Sequence, residues 1–261
     1  MLRHLIDVIP FWWLQFVCMS ALTLIALGAA WASPYLFSIP NDKEHNERSN
    51  ALIAILSGGF SVLLAFIIFN TWNVLLRAQD NVSQEANSLA IMLRNIAVFP
   101  EAPQNKISQA IRNYTVAVRV TEWKSMQNGY ESPEAANAVN ELYKILQSFV
   151  PITQMEQIYY SQALLGLNTV LKMRRDRLNH LDSVIPTQLS TDLIVGSIIL
   201  ALVLGLIRGR SKFLDQIPVI VFALVLGFNL AIALSFNFPF SGDISVHNKF
   251  FYYGVLNDFK D

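Results

Sequence analysis

Residues 51–76 read ALIAILSGGFSVLLAFIIFNTWNVLL, an apolar run with no charged side chain before Arg77. A helix needs about 20 such residues to cross about 30 Å of hydrocarbon. Three further runs of this kind stand at 11–33, 188–207 and 217–236. Two therefore precede, and two follow, a polar segment of roughly 110 residues. The pattern predicts a multi-pass membrane protein with a sizeable water-facing domain and excludes a soluble enzyme.

Composition agrees. Of 261 residues, 53% are hydrophobic and 15% charged, where soluble domains carry about 25% charge. The net charge is zero, which points to no nucleic-acid partner. Cys18 lies inside the first run, where it reads as a small buried hydrophobe. His4, His45, His180 and His247 show no ligand spacing, so neither a metal site nor a cofactor is expected. Arg3 and the Ala30-Trp31-Ala32 triplet imitate a secretory signal. The run is longer than a signal core, however, and opens on Trp12 and Trp13 as an interfacial belt would. An uncleaved anchor is expected.

The first helix is predicted to end at Ser33-Pro34, followed by a polar loop over 41–48. In the second, Leu75, Ala78, Val82, Ala86, Leu89, Leu93 and Ile96 continue the apolar spacing past the membrane stretch. Residues 51–98 thus read as one helix or two nearly collinear ones, a rod able to connect membrane and soluble parts. Three more helices are predicted. One is marked by Ile107, Ile111, Tyr114 and Val118 and stops at Asn128-Gly129. A second starts at Ser132-Pro133-Glu134, and a third runs from Thr153 to Leu181. The expected division is 1–78 and 187–237 in the membrane, 79–186 soluble and helical, and 238–261 a tail. The distribution of Lys and Arg favours a cytoplasmic soluble domain, although Arg208, Arg210 and Lys212 oppose it.

Several residues are candidates for function. Ala54, Gly58, Ser61 and Ala65 form a small-residue ridge that lets another backbone approach. With Phe60, Phe66, Phe69 and Asn70 they suit either a pore lining with an apolar constriction or lipid contact and helix packing. Asp192, the only acid in the apolar runs, is either an intramembrane ligand or a first-turn residue favoured by the helix dipole. Glu85 and Glu122 suit internal pairing with Arg94, Arg112, Arg119 or Arg177, or a carboxylate ring built by several subunits. Lys172, Arg174, Arg175 and Arg177 suit lipid headgroups, solvent or anions. Pro239-Phe240-Ser241-Gly242 reads as a tight turn sending the tail along the membrane surface. No catalytic motif is present, and no enzyme is expected.

Four segments carry a resemblance. They are Gln84-Glu85-Ala86-Asn87-Ser88-Leu89, Tyr114 with Glu122-Trp123 and Met126, Arg174 to Leu178, and Pro239-Phe240-Ser241-Gly242-Asp243-Ile244-Ser245-Val246. Together they resemble the bestrophin-like domain family, a group of largely uncharacterised prokaryotic four-helix membrane proteins. The likeness spans most of 55–255, and its most specific parts are QEANSLA and PFSGDISV. The family takes its label from bestrophins, pentameric ion channels with a 2+2 arrangement of membrane helices around a helical cytosolic domain. This chain departs from them in lacking an evident acidic calcium clasp.

The resemblance implies an all-α membrane protein with four transmembrane helices in a 2+2 arrangement. It further implies a homo-oligomer, a pentamer, in a bacterial inner membrane, passing ions along helix two. Membrane lipid, the permeant ion and other copies of the chain are the implied partners. The alternative is a non-conducting scaffold or signalling oligomer.

Overall fold

The computed structural model describes residues 2–36, 43–208 and 213–260. Every regular element among them is helical. In chain order they are α1 (Leu2–Val8), α2 (Phe11–Leu36), α3 (Lys43–Asn95), α4 (Glu101–Ala117), α5 (Trp123–Gln127), α6 (Pro133–Ser148), α7 (Gln154–Asn179), α8 (Thr187–Arg208) and α9 (Phe213–Ser235). Short 3-10 turns stand at Ile96–Val98, Asn248–Tyr252 and Gly254–Asp258, and a wider π turn at Val118–Glu122. Four helices, α2, α3, α8 and α9, are long and apolar enough to cross a membrane.

Two boundaries differ from expectation. Pro34 lies inside the last turn of α2, where a missing N–H costs one bond at most. Within the expected polar loop over 41–48, α3 is already helical from Lys43. The residues 41 and 42, like Arg210 and Lys212 of the orientation argument, lie outside the described residues.

The chain divides into two compact units. The first holds Met1–Asn73, Ser183–Asn237 and Gly242–Ile244. Its core joins Leu22 and Ala26 of α2 with Leu64 and Ile67 of α3, Ala201 and Leu204 of α8, and Ala223 and Leu226 of α9. Lipid supplies no hydrophobic drive between spans, so close backbone approach matters. A Cβ at Gly205 would run into the Ala26 carbonyl, and one at Gly227 would lie 2.7 Å from the Cys18 oxygen. These glycines let α2 lie directly on α8 and α9. Ser33 adds a hydroxyl bond of 2.7 Å to the Leu206 carbonyl. Asn237 fastens the start of α8, its Oδ1 accepting from Ile185 N at 2.7 Å and its carbonyl from Val184 N at 2.9 Å. Gly58 of the predicted Ala54-to-Ala65 ridge takes no part in this packing, since a Cβ there would meet nothing within 4 Å, while Ser61 and Ala65 border a cleft shared with Phe222, Val225 and Asn229 of α9.

The second unit holds Val74–Asp182, Phe238–Ser241 and Ser245–Asp261. Val82, Leu89 and Met92 of α3, Ile107 and Ile111 of α4, Leu142 and Leu146 of α6, and Leu167 and Val170 of α7 form its interior. Gly166 admits α3 closely, because a Cβ there would come 2.6 Å from Met92 Cγ. The ends are capped as the sequence predicts for Ser132, whose Oγ accepts from Ala135 N. Thr153 and Glu156 add a reciprocal capping box at α7. In the tail, Phe251 and Leu256 are buried within this unit, and the Phe251 ring lies 6.4 Å from that of Trp123.

Candidate functional site

The apolar stripe of α7 runs Ala163, Leu167, Val170 and then, at the same spacing of three or four, Arg174 and Arg177. The last turns of a buried face thus carry two guanidiniums. Arg177 is wholly buried, which costs several kcal/mol unless its donors find partners. Each of its three nitrogens has one. Nε donates to Glu85 Oε2 at 2.8 Å and Nη2 to Glu85 Oε1 at 3.0 Å, the bidentate fork that suits a carboxylate. Nη2 also reaches Glu122 Oε2 at 2.8 Å, Nη1 lies 2.7 Å from Met126 Sδ, and the Trp123 ring faces Cζ at 5.7 Å.

Both carboxylates are themselves inaccessible and each has a further donor. The Tyr114 hydroxyl donates a hydrogen bond to Glu85 Oε1 at 2.5 Å. Arg174 Nη2 donates to Glu122 Oε1 at 2.5 Å and more loosely to Glu131 Oε1 at 3.3 Å. Burial, and then the Glu85 charge, push the Tyr114 phenol well above its usual range, so it remains a neutral donor. Burial opposes the charge on Arg177, but Glu85 and Glu122 outweigh it and hold the guanidinium protonated. Two buried acids against two arginines make the network neutral.

The π turn presents Glu122. Its extra residue rotates the succeeding helical turn by about 100° relative to an unbroken α-helix, and Trp123 and Met126 line up beside Arg177. On the same turn, Arg119 takes another role. It donates through Nε to Phe251 O at 3.0 Å, through Nη1 to Phe259 O at 2.7 Å and through Nη2 to Leu256 O at 2.6 Å.

Four of the sequence candidates, Glu85, Glu122, Trp123 and Arg177, are therefore neighbours. The acids pair within the chain rather than standing open as a ring. Ser241 and Pro239 belong to the same unit: Ser241 Oγ donates to Gln127 O at 2.7 Å, and Pro239 O accepts from Val246 N at 2.8 Å. Gly242 belongs to the first unit. Its φ of +84° is one that side chains rarely adopt, and its N–H points to Asp7 Oδ1 at 3.3 Å. Asp192 is exposed on α8 and has no share in the network.

The membrane candidates separate. Gly58, Ser61, Phe66 and Asn70 are exposed on α3. Phe60 lies about 200° around the helix from Gly58 and is turned inward, where a Cβ on Gly196 would be 2.6 Å from its ring. It does not share the open face with the other four.

Sequence reasoning names both Arg174 and Arg119 but gives them other roles. Arg174 reads as one of a cationic set for lipid headgroups, solvent or anions, although its place in the α7 stripe marks it as inward. Arg119 reads as a possible partner of Glu85 or Glu122, and its bonds to the tail carbonyls, made from a π turn that no residue pattern announces, do not follow from spacing. Among the described residues no group of three metal-ligating side chains comes together.

No curated protein and no solved structure matches this chain. The segments that build the network, from α3, α4, the π turn and α7, and the 238–241 stretch of the tail that packs on Trp123 and Gln127, all fall within residues 20–251. That is the stretch matched by the bestrophin-like domain, and the chain belongs to the bestrophin-like family of membrane proteins.

Proposed function

We propose that the protein is a homo-oligomeric ion channel, five copies surrounding one axis, conducting passively through a pore lined by α3. The spans would stand in the 2+2 arrangement, in a bacterial inner membrane with the soluble unit cytoplasmic. One observation supports this reading above others. Of the most apolar stretch of α3 only 11% is buried, against 28%, 33% and 44% for α2, α8 and α9. That uncovered surface carries small and polar groups, Gly58, Ser61 and Asn70, which lipid alone does not favour, with Ser61 and Asn70 about 180° apart on its two flanks. Phe66, about 40° around the helix from Asn70 and about 80° from Gly58, would supply an apolar constriction that gates by dewetting. The paired acids of the second unit brace its helices, and selectivity falls to charges near the mouths.

Purified protein in liposomes tests the reading. Salt-driven ion flux that Asn70→Leu or Ser61→Leu reduces severalfold, while the oligomer persists, is the expected result. Sealed vesicles under every salt and pH condition would instead favour a non-conducting scaffold, in which the same face binds a partner helix.

A further inference from the structure

Beside the buried network, α6 and α7 border a cavity of about 610 Å³ that lies wholly within the second unit. Arg174 and Arg175 bring two guanidiniums to it, and Asn140, Asn168 and Tyr143 bring neutral donors. Val139 and Leu171 supply apolar lining. Arg174 is nine-tenths buried, and its Nε has no hydrogen-bond partner. A buried unmatched donor is costly, and the structure elsewhere avoids one on Arg177.

Glu131 is the second clue. Its carboxylate, on a half-exposed side chain, reaches Arg174 at 3.3 Å, much longer than the 2.5 Å contact of Glu122 with the same nitrogen. It is a loosely held anion at the cavity wall. A ligand carboxylate offered in that place would gain the Arg175 charge and the amides as well.

We propose that this cavity binds a small organic carboxylate, with Arg174 and Arg175 receiving the anion and Asn140, Asn168 and Tyr143 orienting the rest. Arg174 is already paired with Glu122, so the added charge comes from Arg175. One such cation beside neutral donors suits a carboxylate on a carbon skeleton better than a compact doubly charged phosphate. Binding there would touch the network directly, because Arg174 also holds Glu122. This reading does not depend on conduction.

Titration calorimetry on the full chain in detergent tests it, with succinate as probe and inorganic phosphate at equal ionic strength as the competing anion. Saturable succinate binding is expected. Arg175→Ala, an exposed position outside the network, should weaken it about tenfold, or about 1.4 kcal/mol. Glu131→Gln should strengthen it by removing the competitor. Absence of saturable succinate binding overturns the proposal, as does binding unchanged in Arg175→Ala or weakened in Glu131→Gln. Phosphate binding more tightly than succinate overturns the carboxylate assignment.

Discussion

Arg177 and Glu85, 92 residues apart in sequence, meet fork to fork with both oxygens engaged and neither side chain open to solvent. A pair of this kind acts chiefly through what its loss exposes. Arg177→Ala leaves Glu85 buried without its counter-charge and Glu122 with Arg174 alone, a cost of about 3–5 kcal/mol. Arg177→Lys should recover little, because a point charge cannot replace the two parallel bonds. Thermal or chemical unfolding in detergent would show both variants far below wild type. A lysine variant close to wild-type stability would contradict the bidentate account.

Tyr114 gives a gentler probe of the same cluster. Tyr114→Phe keeps the packing and removes one hydrogen bond to a buried carboxylate, about 1.5–3 kcal/mol. The effect should shrink sharply in a Glu85→Gln background, where the acceptor no longer carries charge. Equal losses in both backgrounds would mean that the hydroxyl contributes independently of the Glu85 charge.

Much of this fold was legible because hydropathy is local. Four spans, the Ser132 cap and the inward stripe of α3 follow from runs and spacing that a reader can count. Partner choice is not local. Glu85 and Glu122 were recognisable as acids next to apolar stripes, and Arg177 was among their possible partners. Nothing in the spacing separated it from Arg94 or Arg112, because selection was made by four helices meeting. The π turn defeated the α-helical register beyond Ala117, which concealed the role of Arg119. The small-residue ridge on α3 was visible, but the glycines that bring spans together inside the chain, Gly205 and Gly227, lay in runs that looked uniformly apolar.

Those glycines differ from Gly58 in a measurable way. Gly227→Val would press a branched side chain into the Cys18 carbonyl and the Met19 Cα, each 2.7 Å from a bare Cβ. Overpacking of this order costs about 1–3 kcal/mol. Gly58→Val meets nothing within 4 Å in the chain. The melting temperature of the chain should therefore fall for Gly227→Val and hold for Gly58→Val, while in the proposed assembly cross-linked oligomer falls for Gly58→Val. Protomer unfolding in the Gly58 variant would refute the distinction.

Glu156 ties stability to pH. Its Oε2 accepts from Ile152 N at 2.7 Å and from Thr153 N at 3.4 Å. The Ile152 N–H is the main reason the carboxyl sits below its usual range. A lowered folded-state value means stabilisation that is complete above the unfolded value, about 4.3, and lost as pH falls through the folded one. Wild type should thus exceed Glu156→Gln in denaturant midpoint near neutrality, with the gap closing in acid. A gap that widened in acid would carry the wrong sign.

Arg119 fixes the end of the chain through three carbonyls, those of Phe251, Leu256 and Phe259, and no other residue type offers that many donors in one plane. Its guanidinium carbon also stands 4.1 Å from the centre of the Tyr252 ring. In Arg119→Met the volume remains but the carbonyls lose their donors, so residues 248–260 should loosen while the helices hold. Amide exchange across this segment should quicken by an order of magnitude or more, about 1.4 kcal/mol per tenfold. Exchange in α7, anchored through Arg177, should stay near its wild-type rate. If α7 loosened in parallel with the tail, Arg119 would be a support of the whole unit and not a clasp for its C-terminus.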